Sequence, residues 1–286
     1  MIETLLGDLG WAQARAAADG LALVGCGVGV PGVVDLAAGR IGPDVQNLPE
    51  LAGCPLRDVV AAHTGLPTVL DNDANALTVG EARFGAGRGL GSFVLLALGT
   101  GVGGGVFLNG DLVRGASGYG GEFGHATVHF EGRACFCGSR GCLKAYVAGP
   151  DIAAQAREAL AMRSGSRLEA IPADSLTPHH VFEAAAAGDG VAAEIVERVC
   201  RALGAALGAI VNGLNPEAII LTGGVAQSLE RHMDAVHHWT RAYAFAAAYE
   251  STRLVVLRMS KASTIRGAAA LFLHEASRRA GVVEDA

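Results

Sequence analysis

The chain has little of what secreted, membrane-spanning or nucleic-acid-coating proteins are built from. Its 286 residues hold no long block of lysine and arginine, and the net charge is −6, which argues against a nonspecific DNA-binding surface. Glu3 and Asp8 interrupt the first residues and no long apolar core follows them, so the N-terminus does not read as a signal peptide. The longest apolar run, 21–34, is broken by glycines and Pro31 and is too short to cross a bilayer as a helix. Nor is there a disulfide framework: three of the six cysteines crowd between 135 and 142, while Cys26, Cys54 and Cys200 are scattered in apolar stretches. A cytoplasmic location and no membrane partner are the expectation. Glycine is abundant at 41 residues, which points to tight turns and close backbone approaches. The length suits two domains or one large α/β domain.

Strand-like and helix-like patterns alternate, which sets the class as α/β. Helices are expected at 3–18, 55–64, about 74–83, 150–164, 190–213 and 264–280. Strands are expected at 21–32, from 66 to the acidic residues at 71–73, on both sides of the glycine run within 91–115, at 216–222 and at 253–259. In the long Ala-rich helix Leu203, Leu207, Ile210 and Val211 share one face. No internal repeat is evident.

Three places carry chemistry. Cys135, Cys137 and Cys142 lie within eight residues, with Gly138 and Gly141 letting a short loop turn its sulfurs inward. His125 is the natural fourth zinc ligand and His129 its rival; three incidental buried cysteines are the alternative. Gly99–Gly104 fits G-x-G-x-x-G, but a strand-like VFLNGDLVRG follows where a dinucleotide site needs a helix. A β-hairpin turn with bare N–H groups facing phosphate oxygens is the better reading, with Thr100 adding a hydroxyl and Thr222-Gly223-Gly224 a second close-approach turn. Asn72 and Asp73 end a strand, where a carboxylate can take a proton from an attacking hydroxyl. The same residue types also cap helices. Strand alternation points Asp71 the other way. Glu122 and His125, three apart after a glycine run, are placed to face one ligand together.

Taken in order, GVGVPGVVD, QNLPEL, DNDANALTVGEARFGAG, LGTGVGGGVFLNG, GEFGHATV, CFCGSRGCL and LTGGVAQS resemble the ROK family (repressor, open reading frame, kinase), above all its bacterial ATP-dependent glucokinases. The resemblance runs from about residue 20 to the end of these motifs, and GE-x-GH followed by C-x-CG-x₂-GC is its most specific part. It implies an actin-like (ribonuclease H-like) two-domain α/β fold, with 1–77 and 269–286 as the smaller domain and 78–268 as the larger, zinc-bearing one. It implies Asp73 as the base acting on a hexose 6-hydroxyl, and Asn72, Glu122 and His125 as sugar ligands. Gly39, Arg40 and Asn47 match less specific sugar-side positions. Gly99, Thr100, Gly101 and Gly103 would face the phosphates of Mg²⁺-bound ATP, and Gly223 and Gly224 would lie near adenosine. His125, Cys135, Cys137 and Cys142 match the structural zinc ligands. A hexose and further copies of the chain, as a dimer or tetramer, are the implied partners. No helix-turn-helix accompanies the motifs, so nucleic acid is not expected.

Two departures stand out. Family kinases open with a strand and an Asp-x-Gly-Gly-Thr loop that meets Mg·ATP; GDLG at 7–10 lacks its second glycine and threonine. The chain thus reads as starting at the first helix, after the opening strands, with a bare sheet edge. Lys144 stands where the family has a sugar-binding glutamate, replacing an acceptor with donors. The alternatives to a kinase are a non-catalytic sugar-binding regulator of the same family and a truncated, inactive kinase.

Overall fold

The structure, a computed structural model, describes residues 1–43, 45, 48–258 and 260–279, with only the backbone at Lys261. Asn47, expected on the sugar side, lies outside the described residues. In chain order the elements are α1 (Ile2–Ala18), β1 (Cys26–Val30), β2 (Val34–Asp35), β3 (Arg40–Ile41), α2 (Leu56–Thr64), β4 (Thr68–Asn72) and α3 (Asp73–Phe84). Then come β5 (Phe93–Leu98), β6 (Val102–Leu108), β7 (Asp111–Leu112), α4 (Lys144–Val147), α5 (Gly149–Met162), α6 (Pro178–Ala186) and α7 (Gly190–Leu214). The chain ends with β8 (Ala218–Thr222), α8 (Gly224–Leu229), α9 (Met233–Tyr243), α10 (Ala246–Ser251), β9 (Arg253–Leu257) and α11 (Lys261–Arg279). It divides into two compact units, 1–89 with 112–120 and 260–286, and 90–111 with 121–259. These bounds differ from the sequence reading at 77/78 and 268/269, because both of those cuts fall inside helices, α3 and α11, that pack as whole bodies.

In the first unit β1 and β4 pair in parallel, Cys26 opposite Thr68 and Val30 opposite Asn72. Among the described residues neither strand has a partner on its other edge, the bare edge expected above. The strand expected at 21–32 is therefore shorter: β4 offers nothing to pair with 21–25, and Leu21, Leu23 and Val24 stay exposed. Val28, Val30, Leu70, Ile41, Leu56 and Val60 form the core. The glycines of β1 let helices lie directly on the strand. A Cβ at Gly27 would collide with the Ala268 carbonyl of α11, and one at Gly29 would come within 3.3 Å of Asp73 Cα at the start of α3. Where α3 crosses α11, a Cβ at Gly80 would sit 2.7 Å from Gly267 Cα.

In the second unit five strands run in the order β7-β6-β5-β8-β9. β5 and β6 are antiparallel, while β5, β8 and β9 are mutually parallel neighbours. β8 is buried along its length, which suits a central strand with an unbroken apolar sequence. Leu203, Leu207, Ile210 and Val211 of α7 are all buried, as the period predicts. Asp189 caps this helix by accepting from the Ala192 N–H, and Asn215 ends it in the left-handed conformation.

Candidate functional site

The first candidate lies at the β4–α3 turn. Asn72 Oδ1 accepts from the backbone N–H of Ala74 at 2.8 Å and of Asn75 at 3.3 Å, so Asn72 is the cap of α3. Its Nδ2 donates to the Gly32 carbonyl at 2.9 Å, which leaves one amide N–H uncommitted by these bonds. Asp73 is the first residue of the helix, and its Oδ1 accepts from the Ala74 N–H at 2.8 Å. Asp73 is exposed, yet the protein around it is dense. That crowding pushes its pKa up, against the opposing backbone N–H groups. The exposed side chain keeps the carboxylate within reach of a ligand.

Asp71 points inward, as alternation requires, but it is no bystander. Only 2% exposed, it accepts from the Asn72 N–H at 2.7 Å, from Asn75 Nδ2 at 2.8 Å and from Arg114 Nε at 2.6 Å. Arg114 Nη2 donates in turn to Glu275 of α11 at 2.6 Å. Burial works against the Arg114 charge, but the two carboxylates outweigh it and hold the guanidinium above its ordinary value. This triad has no local signature in the sequence, since Asp71 and Glu275 lie 43 and 161 positions from Arg114. Gly39 has a structural reason to be glycine: φ is 65° and a Cβ would strike the Arg57 guanidinium. Arg57 organises that loop by donating to the carbonyls of Leu36, Ala37 and Ala38. Arg40 is exposed, with Nη1 3.4 Å from the Gly53 carbonyl.

The second candidate lies in the other unit, at the carboxyl ends of β5 and β8. The glycine run is a hairpin, with Leu98 opposite Val102, so the dinucleotide reading is excluded and the hairpin reading holds. A Cβ at Gly99 or Gly101 would meet nothing within 4 Å. Packing does not demand glycine at this turn, which leaves room for an outside group at the bare backbone around Thr100. Gly103 lies within β6 opposite Ala97. The Gly99 carbonyl accepts from the Gly149 N–H at 2.8 Å, bringing the start of α5 to the turn. Gly223 has φ 97°, and a Cβ there would collide with the Leu98 carbonyl, whereas one at Gly224 would meet nothing. The two glycine turns thus adjoin at one sheet edge, where parallel α/β sheets bind ligands.

In the same unit, ligand atoms of His125, Cys135, Cys137 and Cys142 all lie within 4.8 Å of one another. Cys135 Sγ is 3.6 Å from His125 Nδ1, and Cys137 Sγ is 3.7 Å from Cys142 Sγ. A tetrahedral zinc with ordinary bond lengths requires about 3.6 Å and about 3.8 Å for such edges, so the donor set fits zinc. Burial first, then the neighbouring thiols, push the Cys142 thiol up to about 12, while the Ser139 N–H and the neighbouring thiols pull Cys137 down despite its own desolvation. Burial and the nearby Lys144 charge lower the His125 pKa. His129, the rival ligand, instead lies 3.3 Å through Nδ1 from the Tyr146 hydroxyl. Glu122 precedes the turn 123–125, its carbonyl accepting from the His125 N–H at 3.0 Å. Lys144 Nζ is 3.0 Å from Asp151 Oδ2 and 4.5 Å from the centre of the Phe136 ring.

A profile of the ROK family matches residues 2–275. The glucokinase of Halalkalibacterium halodurans is 38% identical over 226 residues, 78% of this chain and 68% of that protein. The xylose repressor of Caldicellulosiruptor bescii is 27% identical over 88% of this chain and 63% of its own length. The chain thus spans about two thirds of the length of these curated relatives. Among solved structures, the ROK hexokinase of Thermus thermophilus superposes with a TM-score of 0.82 at 32% identity, covering 96% of this chain and 87% of that one. The ROK glucokinase of Streptomyces griseus, solved with glucose and AMPPNP, has a TM-score of 0.72 at 31% identity, with 93% and 87% covered.

Proposed function

The chain belongs to the ROK family and has its actin-like α/β fold, and from that premise we propose that it transfers the γ-phosphoryl group of ATP to the 6-hydroxyl of a hexose, glucose or a close relative. The observation that carries this reading is the β4–α3 turn. Asp73 offers a carboxylate with a raised pKa, on a helix start pinned by Asn72. In the reaction the hydroxyl oxygen bonds to phosphorus as the bond to the ADP oxygen breaks, and Asp73 takes the hydroxyl proton. Asn72 keeps one amide N–H for a neighbouring hydroxyl. Glu122 and His125 supply further sugar contacts.

Zinc fits His125, Cys135, Cys137 and Cys142, and when bound it supplies a fixed tetrahedral anchor. With Nδ1 turned to that set, the His125 Nε2 is left to face a hydroxyl. The hairpin turn at Gly99–Gly101 and the turn at Gly223–Gly224 suit the phosphates and adenosine of ATP. Magnesium would arrive with the nucleotide; among the described residues the single group of three or more His, Cys, Asp or Glu able to hold an ion is the zinc set. Three ligating thiols need reducing surroundings, which favours the cytoplasm. Coupled ADP release with glucose as acceptor tests the reading. Asp73→Asn is expected to lower kcat by about 10²–10⁴ while the sugar still binds. An unchanged rate overturns Asp73 as the base.

A second reading, a sugar-binding regulator without turnover, draws on the repressor relative and on Lys144. It predicts saturable sugar binding by calorimetry together with no ADP release from the unaltered chain.

A further inference from the structure

Beside the zinc loop the second unit has a groove of about 400 Å³, lined by His129, Glu131, Arg133, Arg140, Tyr146 and Arg198 among others. In a chain of net charge −6, three guanidiniums here face one lining carboxylate. Like charges crowded into a concavity repel one another and focus a positive potential within it. Arg133 is fixed by a two-pronged pair with Glu158, at 2.6 and 2.7 Å, and keeps three N–H donors to spare. The other two guanidiniums have no close ion pair of their own among the described residues, although Arg198 is in electrostatic reach of Glu158. Arg198 reaches only Gln155 Oε1, at 3.4 Å, and neither Arg198 nor Arg140 has a carboxylate within 4 Å among the described residues.

The groove is also built rather than incidental. Its wall is a short hairpin: Ala134 bridges Arg140, the Gly141 N–H donates to the Arg133 carbonyl at 2.7 Å, and the Cys135 N–H donates to the Ser139 carbonyl at 2.9 Å. Arg133 and Arg140 are thereby held on facing arms, and Arg198 stands on α7. Tyr146, 5% exposed, lines the groove too. Its oxygen accepts the Arg133 N–H at 3.1 Å and lies 3.3 Å from His129 Nδ1, which ties the hairpin wall to α4. Planar guanidiniums match the several acceptor oxygens of a phosphate, and the volume suits a small molecule.

We infer that this groove binds the dianionic phosphate group of a small phosphorylated metabolite, clamping the 133–141 hairpin to α7. The inference does not rest on the kinase reading, since none of these residues belongs to the proposed phosphoryl-transfer machinery. Titration calorimetry of the full chain with inorganic phosphate and, separately, with a hexose 6-phosphate tests it. The expected result is saturable binding that weakens about tenfold for each guanidinium removed in Arg140→Ala and Arg198→Ala, stays as in wild type in Asp73→Asn, and slows amide exchange across 133–141. Tighter binding of the ester assigns the groove to phosphorylated sugars, and equal binding assigns it to free phosphate. Both substituted residues are exposed, so the double variant is expected to keep its melting temperature. Absence of saturable binding to wild type, or binding that survives the double substitution, overturns the inference.

Discussion

Arg114 is caught between two carboxylates in the interior of its unit, and this makes it the residue whose loss the fold feels most. Removing one partner of a buried ionic set leaves a charge uncompensated, at a cost of about 3–5 kcal/mol. Arg114→Met is therefore expected to lower urea stability by that amount, and neutralising the set with Asp71→Asn and Glu275→Gln to recover most of it; equal stability of wild type and the single variant would refute the role. Asp73 should show a pH signature. Its pKa is raised in the fold, so its contribution favours folding at acid pH and is lost as pH rises through the folded pKa. Asp73→Asn is accordingly expected to melt above wild type at neutral pH, with the gap closing below the ordinary carboxylate range. The acid limb of wild-type kcat should lie above that range. The Asn72 cap beside Asp73 and the gathering of His125, Cys135, Cys137 and Cys142 were legible in the sequence because each sits in a short, dense motif. Arg114, Glu275 and Arg57 were not, because a partner reached through folding leaves no local pattern.

Among the elements, α7 was legible from its apolar period and the β5–β6 hairpin from its glycines. α4, α6, α9 and α10 were missed. α9 buries only Val236 and Thr240, too few positions to stand out as a stripe. What α9 requires is instead written on its partner: a Cβ on Gly204 of α7 would strike Trp239, and one on Gly208 would come 2.8 Å from Tyr243 Cβ. Gly204→Ala is expected to cost about 1–3 kcal/mol through overpacking despite alanine's better helix propensity. A rise in the chemical denaturation midpoint would count against this contact. The strand expected over 21–32 was overlong because an apolar run reports burial potential, and among the described residues 21–25 has no strand to pair with.

For the molecule as a whole, the α/β class followed from the alternation of elements and a discontinuous first unit of 1–77 with 269–286 from the resemblance, but the return of 112–120 to that unit did not, since nothing local marks it. The zinc set makes a global prediction. One zinc per chain should be found by elemental analysis, and strong chelators should remove it and lower the melting temperature, with Cys142→Ser doing the same. A metal-free protein of unaltered stability would dismiss the site. The crossing of α3 over α11 at Gly80 and Gly267, and the Arg114–Glu275 bond, join residues far apart in the chain. A ribosome releases these partners in order, so α11 covers β1 and α3 only after all that precedes it has been made, although the core of β1, β4 and α2 draws on residues 28–70 alone. Residues 121–259 leave earlier, and the second unit can therefore acquire its structure during synthesis, while the surface of β1 and α3 that α11 covers stays exposed to chaperones for most of translation.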